Sequence, residues 1–190
     1  MEDRKGAAMR WEALFADLEA EVDAEADAER RSEVADRIRS EFGRLRLIDR
    51  LQPLLSRPDS VVRMALPGGE VVAGAVLALG SDWALLAQQG AAECLVSLAA
   101  VQWIEGVGGA AAEPGWEGKV GLRLGLRAAL RRIAQDRSTV ALSLLGGQTQ
   151  VGRVARVASD HVVLEPADGD RRASGGVTVP LAAIACLRRR

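Results

Sequence analysis

Residues 62–86 read VRMALPGGEVVAGAVLALGSDWALL, and residues 140–164 read VALSLLGGQTQVGRVARVASDHVVL. The two stretches align without a gap at a shift of 78 residues. Farther along, VSLAAVQWI (residues 96–104) matches VPLAAIACL (residues 179–187) at a shift of 83 residues. A duplicated segment of this length is one structural unit that occurs twice. The chain is therefore predicted to contain two copies of one small fold.

Each copy alternates apolar and polar residues in short runs that glycine interrupts, a pattern typical of β-strands. Pro67-Gly68-Gly69 and Leu145-Gly146-Gly147 are predicted hairpin turns, because glycine reaches the positive φ that such turns need. A glycine at the matching position inside the next strand marks a sharp bend. The predicted turn and bend residues are Gly68, Gly69, Gly74, Gly146, Gly147 and Gly152.

An amphipathic helix is predicted in front of each copy. Before the first copy, apolar residues recur at helical spacing and two prolines follow them; these residues are Val34, Ile38, Phe42, Leu45, Ile48 and Leu51, with Pro53 and Pro58. Before the second copy, residues 119–137 carry the apolar stripe Leu122, Leu126, Leu130 and Ile133. Each copy has about 45–50 residues, too few for comfortable stability alone. We therefore expect each copy to pack its leading helix and the two copies to support each other.

A further helix is predicted near the start of the chain, where an apolar stripe precedes a stretch of Ala, Asp and Glu. The stripe consists of Trp11, Leu14, Phe15, Leu18 and Val22. The predicted domains are an acidic N-terminal helical segment (1–32), a helix with the first β-unit (33–105), a Gly/Ala-rich linker (106–118), and a basic helix with the second β-unit (119–190).

Part of the second copy resembles a known family. LRAALRRIAQDRSTVALSLLGGQTQVGRVARVASDHVVLEP (126–166) resembles the helix and first strands of the bacterial RNA chaperone Hfq, and VTVPLAAIACL (177–187) resembles its closing strand. The pattern is that of the Sm-like fold, and other SH3-like small barrels share it. The resemblance implies an α+β fold: two tandem Sm/SH3-like small antiparallel β-barrels, each preceded by an amphipathic helix, plus the acidic N-terminal helix.

The same resemblance transfers no RNA-binding residue. The family carries a Tyr-Lys-His run in its closing segment, whereas the matching residues here are Val179-Pro180-Leu181-Ala182 and Val96-Ser97-Leu98-Ala99. Neither run offers a stacking ring, a cation or an imidazole. Hfq-type proteins form rings through exposed barrel edges, and tandem barrels would satisfy one such edge within the chain.

The net charge of −1 conceals a segregation of charge. Residues 1–105 contain 12 basic and 19 acidic side chains, and residues 106–190 contain 13 basic and 7 acidic ones. The apolar runs are too short to span a bilayer, and no basic-then-apolar signal segment opens the chain. We expect a cytoplasmic protein. The two cysteines, Cys94 and Cys186, do not occupy equivalent repeat positions and are predicted to be buried free thiols rather than a disulfide.

No catalytic, cofactor-binding or metal site is predicted, so the chain is not expected to be an enzyme. Its single histidine, His161, replaces Trp83 of the other copy, which favours a half-buried barrel surface over a general base. One His and two scattered Cys make a metal site improbable, and no glycine motif has the spacing of a phosphate loop. The paired Asp82 and Asp160 are interpreted as turn residues that make local side-chain bonds.

Two kinds of binding function remain. The first is an adaptor that binds a protein partner or itself, with Trp11, Leu14, Phe15 and Leu18 as a docking helix. The second is binding of RNA or DNA by the basic helix and the C-terminal arginines. Its candidate contacts are Lys119, Arg123, Arg127, Arg131, Arg132, Arg188, Arg189 and Arg190. A solvated helix face is the plainer explanation of those arginines, because the chain uses Arg almost to the exclusion of Lys. For the first helix too, packing on a barrel of its own chain or a coiled coil with a second copy is the plainer explanation.

Overall fold

The computed structural model describes residues 29–31, 33, 45–108, 124–166 and 176–190. The chain divides into two units, residues 1–45 and residues 46–190. Within the first unit, the described residues 29–31 and 33 are helical. The predicted docking residues Trp11, Leu14, Phe15 and Leu18 lie outside the described residues. Everything that follows concerns the second unit.

The second unit contains the two sequence copies as two sets of five strands. The first repeat comprises β1 (Val61–Ala65), β2 (Val71–Leu79), β3 (Trp83–Ala87), β4 (Glu93–Ser97) and β5 (Trp103–Glu105). The second repeat comprises β6 (Thr139–Leu144), β7 (Thr149–Val157), β8 (His161–Glu165), β9 (Val177–Pro180) and β10 (Ile184–Arg189). A short 3₁₀ turn precedes the last strand of each repeat, at Leu98–Ala100 and at Leu181–Ala183.

All ten strands belong to one antiparallel sheet with the order β5-β1-β2-β3-β4-β10-β6-β7-β8-β9. The first five strands have the order 5-1-2-3-4, and the second five repeat it as 10-6-7-8-9. The repeats therefore share one topology, as their sequences predict, and they meet where β4 pairs with β10. The sheet is not closed, because β5 and β9 lie at its two ends. Its established class is a mostly antiparallel β-fold with few helices.

Both repeats bend at the same place. A Cβ built at Gly74 would collide with the carbonyl oxygen of Ala87, and one at Gly152 with that of Glu165. The register shifts between Val76 and Ala78 in β2, and at the matching place in β7. Such a bulge, next to a residue without a side chain, lets a strand coil sharply. In the hairpin turns, Gly68, Gly69 and Gly147 have φ values of 84°, 81° and 82°, whereas Gly146 is not among the positive-φ glycines.

Both predicted leading helices are interrupted at residues that the structure describes, while Val34, Ile38, Phe42 and Leu122 of their apolar stripes lie outside the described residues. Before the first repeat, α1 (Leu47–Leu51) continues into a 3₁₀ segment at Gln52–Ser56, and Leu45 and Arg46 are not helical. Before the second repeat, α2 runs from Leu126 to Asp136, with the extended Gly125 as its N-cap. The prediction of a helix over residues 119–137 is therefore wrong at Leu124 and Gly125, which are not helical, because glycine has little preference for the helical conformation. No helix of the described residues is long and apolar enough to cross a membrane.

Two hydrophobic cores form, and each contains residues of the other repeat. The first core holds Ile48, Leu51 and Leu54 of the leading segment, and it also includes Ala185 and Cys186 of β10. The second core holds Leu126 and Leu130 of α2, and it also includes Leu95 of β4. The expectation that each repeat packs its leading segment and that the repeats support each other is confirmed for the residues that the structure describes.

Candidate functional site

The junction of the two repeats is formed by the pairing of β4 with β10. Its register places Val96 opposite Cys186, Leu95 opposite Leu187, and Cys94 opposite Arg188. Alternate residues of a strand direct their backbone groups to opposite neighbours. Because the Leu98 N–H donates to the Asp82 carbonyl and the Arg190 N–H to the Thr139 carbonyl, Leu95 and Leu187 face each other as a hydrogen-bonded pair.

The turn between β2 and β3 holds the start of α2. The Leu126 N–H donates to Oδ1 of Asp82 at 2.6 Å, and the Trp83 Nε1–H donates to the carbonyl oxygen of Leu124 at 2.9 Å. The Ser81 N–H donates to that same oxygen at 3.1 Å. A carboxylate at a helix N-terminus satisfies a backbone donor that has no partner inside the helix. The interpretation of Asp82 as a local turn residue is therefore wrong, since it caps a helix of the other repeat.

The equivalent residues of the second repeat make a local contact instead. Nδ1 of His161 lies 2.7 Å from Oδ1 of Asp160, and this hydrogen bond is the main cause that lowers the pKa of Asp160. The side chains are 40% and 82% exposed, respectively. His161 is half-buried, as expected from its place opposite Trp83 in the alignment.

A groove of about 640 Å³ lies beside the junction, between α2 and the outer face of the first repeat. Its apolar lining comes from both repeats and includes Trp83, Leu85, Leu95, Ala129, Ile133 and Leu187. Its rim carries charges of both signs from Glu93, Arg132, Asp136 and Arg189. Arg189 donates to Oδ2 of Asp136 and to Oγ of Ser138 at 3.0 and 2.7 Å. The groove exists only because the two repeats are joined.

The junction also brings together the two cysteines, which are 92 positions apart in the chain. Cys94 and Cys186 are both fully buried and free, so the prediction of buried thiols is confirmed. Their hydrogen bond raises the pKa of Cys94, and burial adds to the rise. The same hydrogen bond is the largest of the influences that together lower the pKa of Cys186 to about 7; Ser143 and Arg188 contribute to the lowering, and burial opposes it.

This cysteine pair could not be predicted from the sequence. Cys94 lies on β4 and Cys186 on β10, and nothing in their spacing shows that these strands are neighbours. A third group completes the cluster, because Nη1 of Arg188 lies 3.3 Å from Sγ of Cys186 and the same guanidinium forms an ion pair with Glu70. In the described part of the chain, no group of three or more His, Cys, Asp or Glu residues is arranged to hold a metal ion.

The structure describes six of the eight predicted nucleic-acid contacts. Arg127, Arg131 and Arg132 are exposed on α2, whereas Lys119 and Arg123 lie outside the described residues. In the sequence, Lys119, Arg123, Arg127 and Arg131 recur every four residues, as they would along one face of a single helix. Because α2 begins at Leu126, it carries only Arg127 and Arg131 of these four. At the C-terminus, Arg188 is engaged with Glu70 and Arg189 with Asp136, while Arg190 is exposed.

No protein-family model matches the chain, and no curated protein sequence matches it.

Proposed function

We propose that this chain is a non-catalytic binding or adaptor protein of the cytoplasm, built on two tandem Sm/SH3-like small barrels. Three observations support the barrel architecture: the strand order 5-1-2-3-4 occurs twice, the same strand carries a bulge in each repeat, and each repeat encloses its own apolar cluster. The proposal also includes a docking helix with Trp11 and Phe15 near the start of the chain, which is supported by the sequence pattern alone.

The observation that carries this proposal is the way in which the repeats associate. They are joined by strand pairing between two sheet edges, β4 and β10. The contact is reinforced because Leu95 of the first repeat is buried in the second core and Cys186 of the second repeat is buried in the first core. The body still presents one open edge at β5 and another at β9. An unpaired edge is a template for another strand. The adaptor therefore recognises a protein partner by adding that partner's strand to its own sheet.

The test is capture of protein partners by an edge variant with a matched control. Thr178 lies on β9, and its backbone N–H faces the open edge, because the N–H of Leu181, three residues on, donates inward to Asp160. Thr178→Pro removes that donor, whereas Thr178→Val keeps it. In crosslinked pull-downs from the native cell after nuclease treatment, the Pro variant should capture less protein than the wild type and the Val variant. Equal capture by all three would overturn edge recognition.

A second candidate function is binding of RNA or DNA. It is favoured by the exposure of Arg127, Arg131 and Arg132 on α2, since exposed arginines on one helix can neutralise phosphates with an affinity that falls as salt rises. Electrophoretic shift of mixed RNA and DNA at low salt tests it. A shift that weakens in moderate salt and in the Arg127→Ser/Arg131→Ser variant supports it, and no shift at low salt removes it.

A further inference from the structure

The two cysteines of the junction lie at positions from which their side chains meet. Cys94 on β4 is paired with Arg188 on β10, and Cys186 lies two residues before Arg188 on the same strand. Side chains two residues apart on a strand point to the same face of the sheet, so the two thiols are diagonal neighbours on one face. The right-handed twist of a strand pair shortens one of its two diagonals, and the hydrogen bond between the thiols shows that they lie on the short one.

The side chain of Arg188 contacts the pair and also reaches the surface. Both cysteines are fully buried in the first core. Nη1 of Arg188 lies 3.3 Å from Sγ of Cys186, while the arginine side chain as a whole is 28% exposed. An ion pair with Glu70 and a hydrogen bond of 3.3 Å to Oε1 of Gln88 hold the guanidinium in place. The thiols are therefore shielded while these contacts hold, and they lie beneath one long surface side chain when the contacts break.

The surroundings of the pair favour a thiolate at Cys186. Its hydrogen bond with Cys94 is the largest of the influences that together lower the pKa of Cys186 to about 7, and Ser143 and Arg188 contribute to the lowering. The thiolate is the form of cysteine that reacts with oxidants. A second thiol in contact with it converts the first oxidation product, a sulfenic acid, into a disulfide. The junction thus supplies both the charged sulfur and its partner.

We infer that Cys94 and Cys186 are a site of reversible oxidation, at which a small hydroperoxide converts the two thiols into a disulfide between the repeats. One thiolate attacks an oxygen of the peroxide, which breaks the O–O bond, takes up a proton and leaves as an alcohol or water. The other thiol attacks the sulfur of the resulting sulfenic acid, so that the S–S bond forms and water leaves. In all, the thiols lose two electrons and two protons, and the peroxide gains them. A reducing dithiol reverses the reaction by exchange.

The disulfide joins β4 to β10 covalently and closes the chain from residue 94 to residue 186 into a loop. A crosslink that closes a long loop restricts the unfolded chain more than one that closes a short loop. The oxidised protein therefore resists unfolding more than the reduced protein does. A disulfide in a cytoplasmic protein is usually transient and forms in response to oxidants. The bond thus fastens the junction of the two repeats under oxidising conditions and releases it afterwards.

Oxidation of the folded, full-length protein tests the inference. The reduced wild type is treated with hydrogen peroxide and then unfolded, and the remaining thiols are alkylated and counted by intact mass. We expect both thiols to disappear together, with a mass lower by two hydrogen atoms, and dithiothreitol to restore them. Cys94→Ser and Cys186→Ser should not show this loss, since their single thiol has no partner in the chain. Wild-type thiols that persist, or that gain oxygen atoms without forming the bond, overturn the inference.

A pair of matched variants tests the route by which the peroxide enters. Glu70→Ala releases Arg188 and removes a negative charge that raises the pKa of both thiols, so oxidation should become at least several-fold faster. Asp136→Ala is the control, because Asp136 pairs with Arg189, the next residue of β10, whose side chain points to the opposite face of the sheet. Equal rates in the two variants would overturn entry beneath Arg188.

Urea unfolding supplies an independent measurement on the wild type. The oxidised protein should unfold at a higher urea concentration than the reduced protein, and dithiothreitol should abolish the difference. Peroxide treatment of Cys94→Ser should leave its unfolding unchanged. An oxidised wild type that unfolds at the same urea concentration as the reduced protein, or at a lower one, would show that the thiols are not placed to join the repeats.

Discussion

At the scale of single residues, equivalent positions in the two repeats have diverged in what they contact. Asp82 caps α2 across the junction, while Asp160 bonds to the neighbouring His161. Trp83 donates to a backbone carbonyl of the other repeat, and His161 occupies the matching place in the second. The difference follows from position in the sheet, because among the described residues the turn of the first repeat has a helix beside it and the turn of the second does not.

We predict that Asp82→Ala lowers the free energy of unfolding by about 0.5–2 kcal/mol, the usual cost of losing an N-terminal helix cap. The reason is that the Leu126 N–H loses its acceptor. Urea denaturation followed by circular dichroism measures the change. Asp160→Ala is the matched control and should have little effect, since Asp160 is exposed and caps no described helix. Equal effects in both variants would contradict the capping role.

The cysteine pair gives a prediction about ionisation. In Cys94→Ala, the pKa of Cys186 should rise above its wild-type value of about 7, because the hydrogen bond that favours its thiolate is lost. Thiolate absorbance at 240 nm, recorded against pH on the folded protein, measures the shift. Cys186→Ala should remove the low-pH titration altogether. An unchanged titration in Cys94→Ala would show that Arg188 and Ser143 alone set the pKa.

At the scale of elements, the strands could be predicted from the sequence and their partners across the repeats could not. The glycines and the alternating pattern predicted the hairpins and the bends, because these depend on local backbone geometry. The duplicated sequence predicted that the two repeats share one topology. The pairing of β4 with β10, and with it the cysteine cluster, the groove and the cap at Asp82, depends on contacts between distant segments that carry no local pattern. The start of α2 could not be predicted from periodicity, because the apolar spacing of the sequence extends back to Leu122, whereas the backbone of Gly125 is extended and the helix begins after it.

The bends of β2 and β7 can be tested directly. We predict that Gly74→Ala and Gly152→Ala each lower the free energy of unfolding by about 1–3 kcal/mol, the usual cost of forcing an added methyl group into closely packed structure. In each case the new Cβ meets a backbone carbonyl oxygen of the adjacent strand, which cannot rotate away. Gly108→Ala is the control, since a Cβ there meets nothing within 4 Å. Stabilities from urea denaturation that match the control would contradict a required bend.

At the scale of the whole second unit, the two repeats are expected to behave as one cooperative body. Leu95 belongs to β4 of the first repeat but is buried, at 5% exposure, in the core of the second. Cys186 belongs to β10 of the second repeat and is buried in the core of the first. A repeat that unfolds alone would expose part of its neighbour's core. Such shared interfaces couple the stabilities of adjacent repeats.

We therefore predict that residues 61–105 and residues 139–189 unfold in a single transition. In hydrogen exchange measured by mass spectrometry across a urea series, peptides from both repeats should lose protection at the same urea concentration. Leu95→Ala should lower the free energy of unfolding by about 2–5 kcal/mol, the usual cost of truncating a buried leucine. The urea concentration at which protection is lost should therefore fall by the same amount in both repeats. Leu77 also belongs to the first repeat but is 48% exposed. Leu77→Ala should therefore leave the urea concentration unchanged in both repeats. If Leu95→Ala shifted one repeat and left the other in place, the repeats would be independent domains, and the junction would be a contact between them rather than part of a shared core.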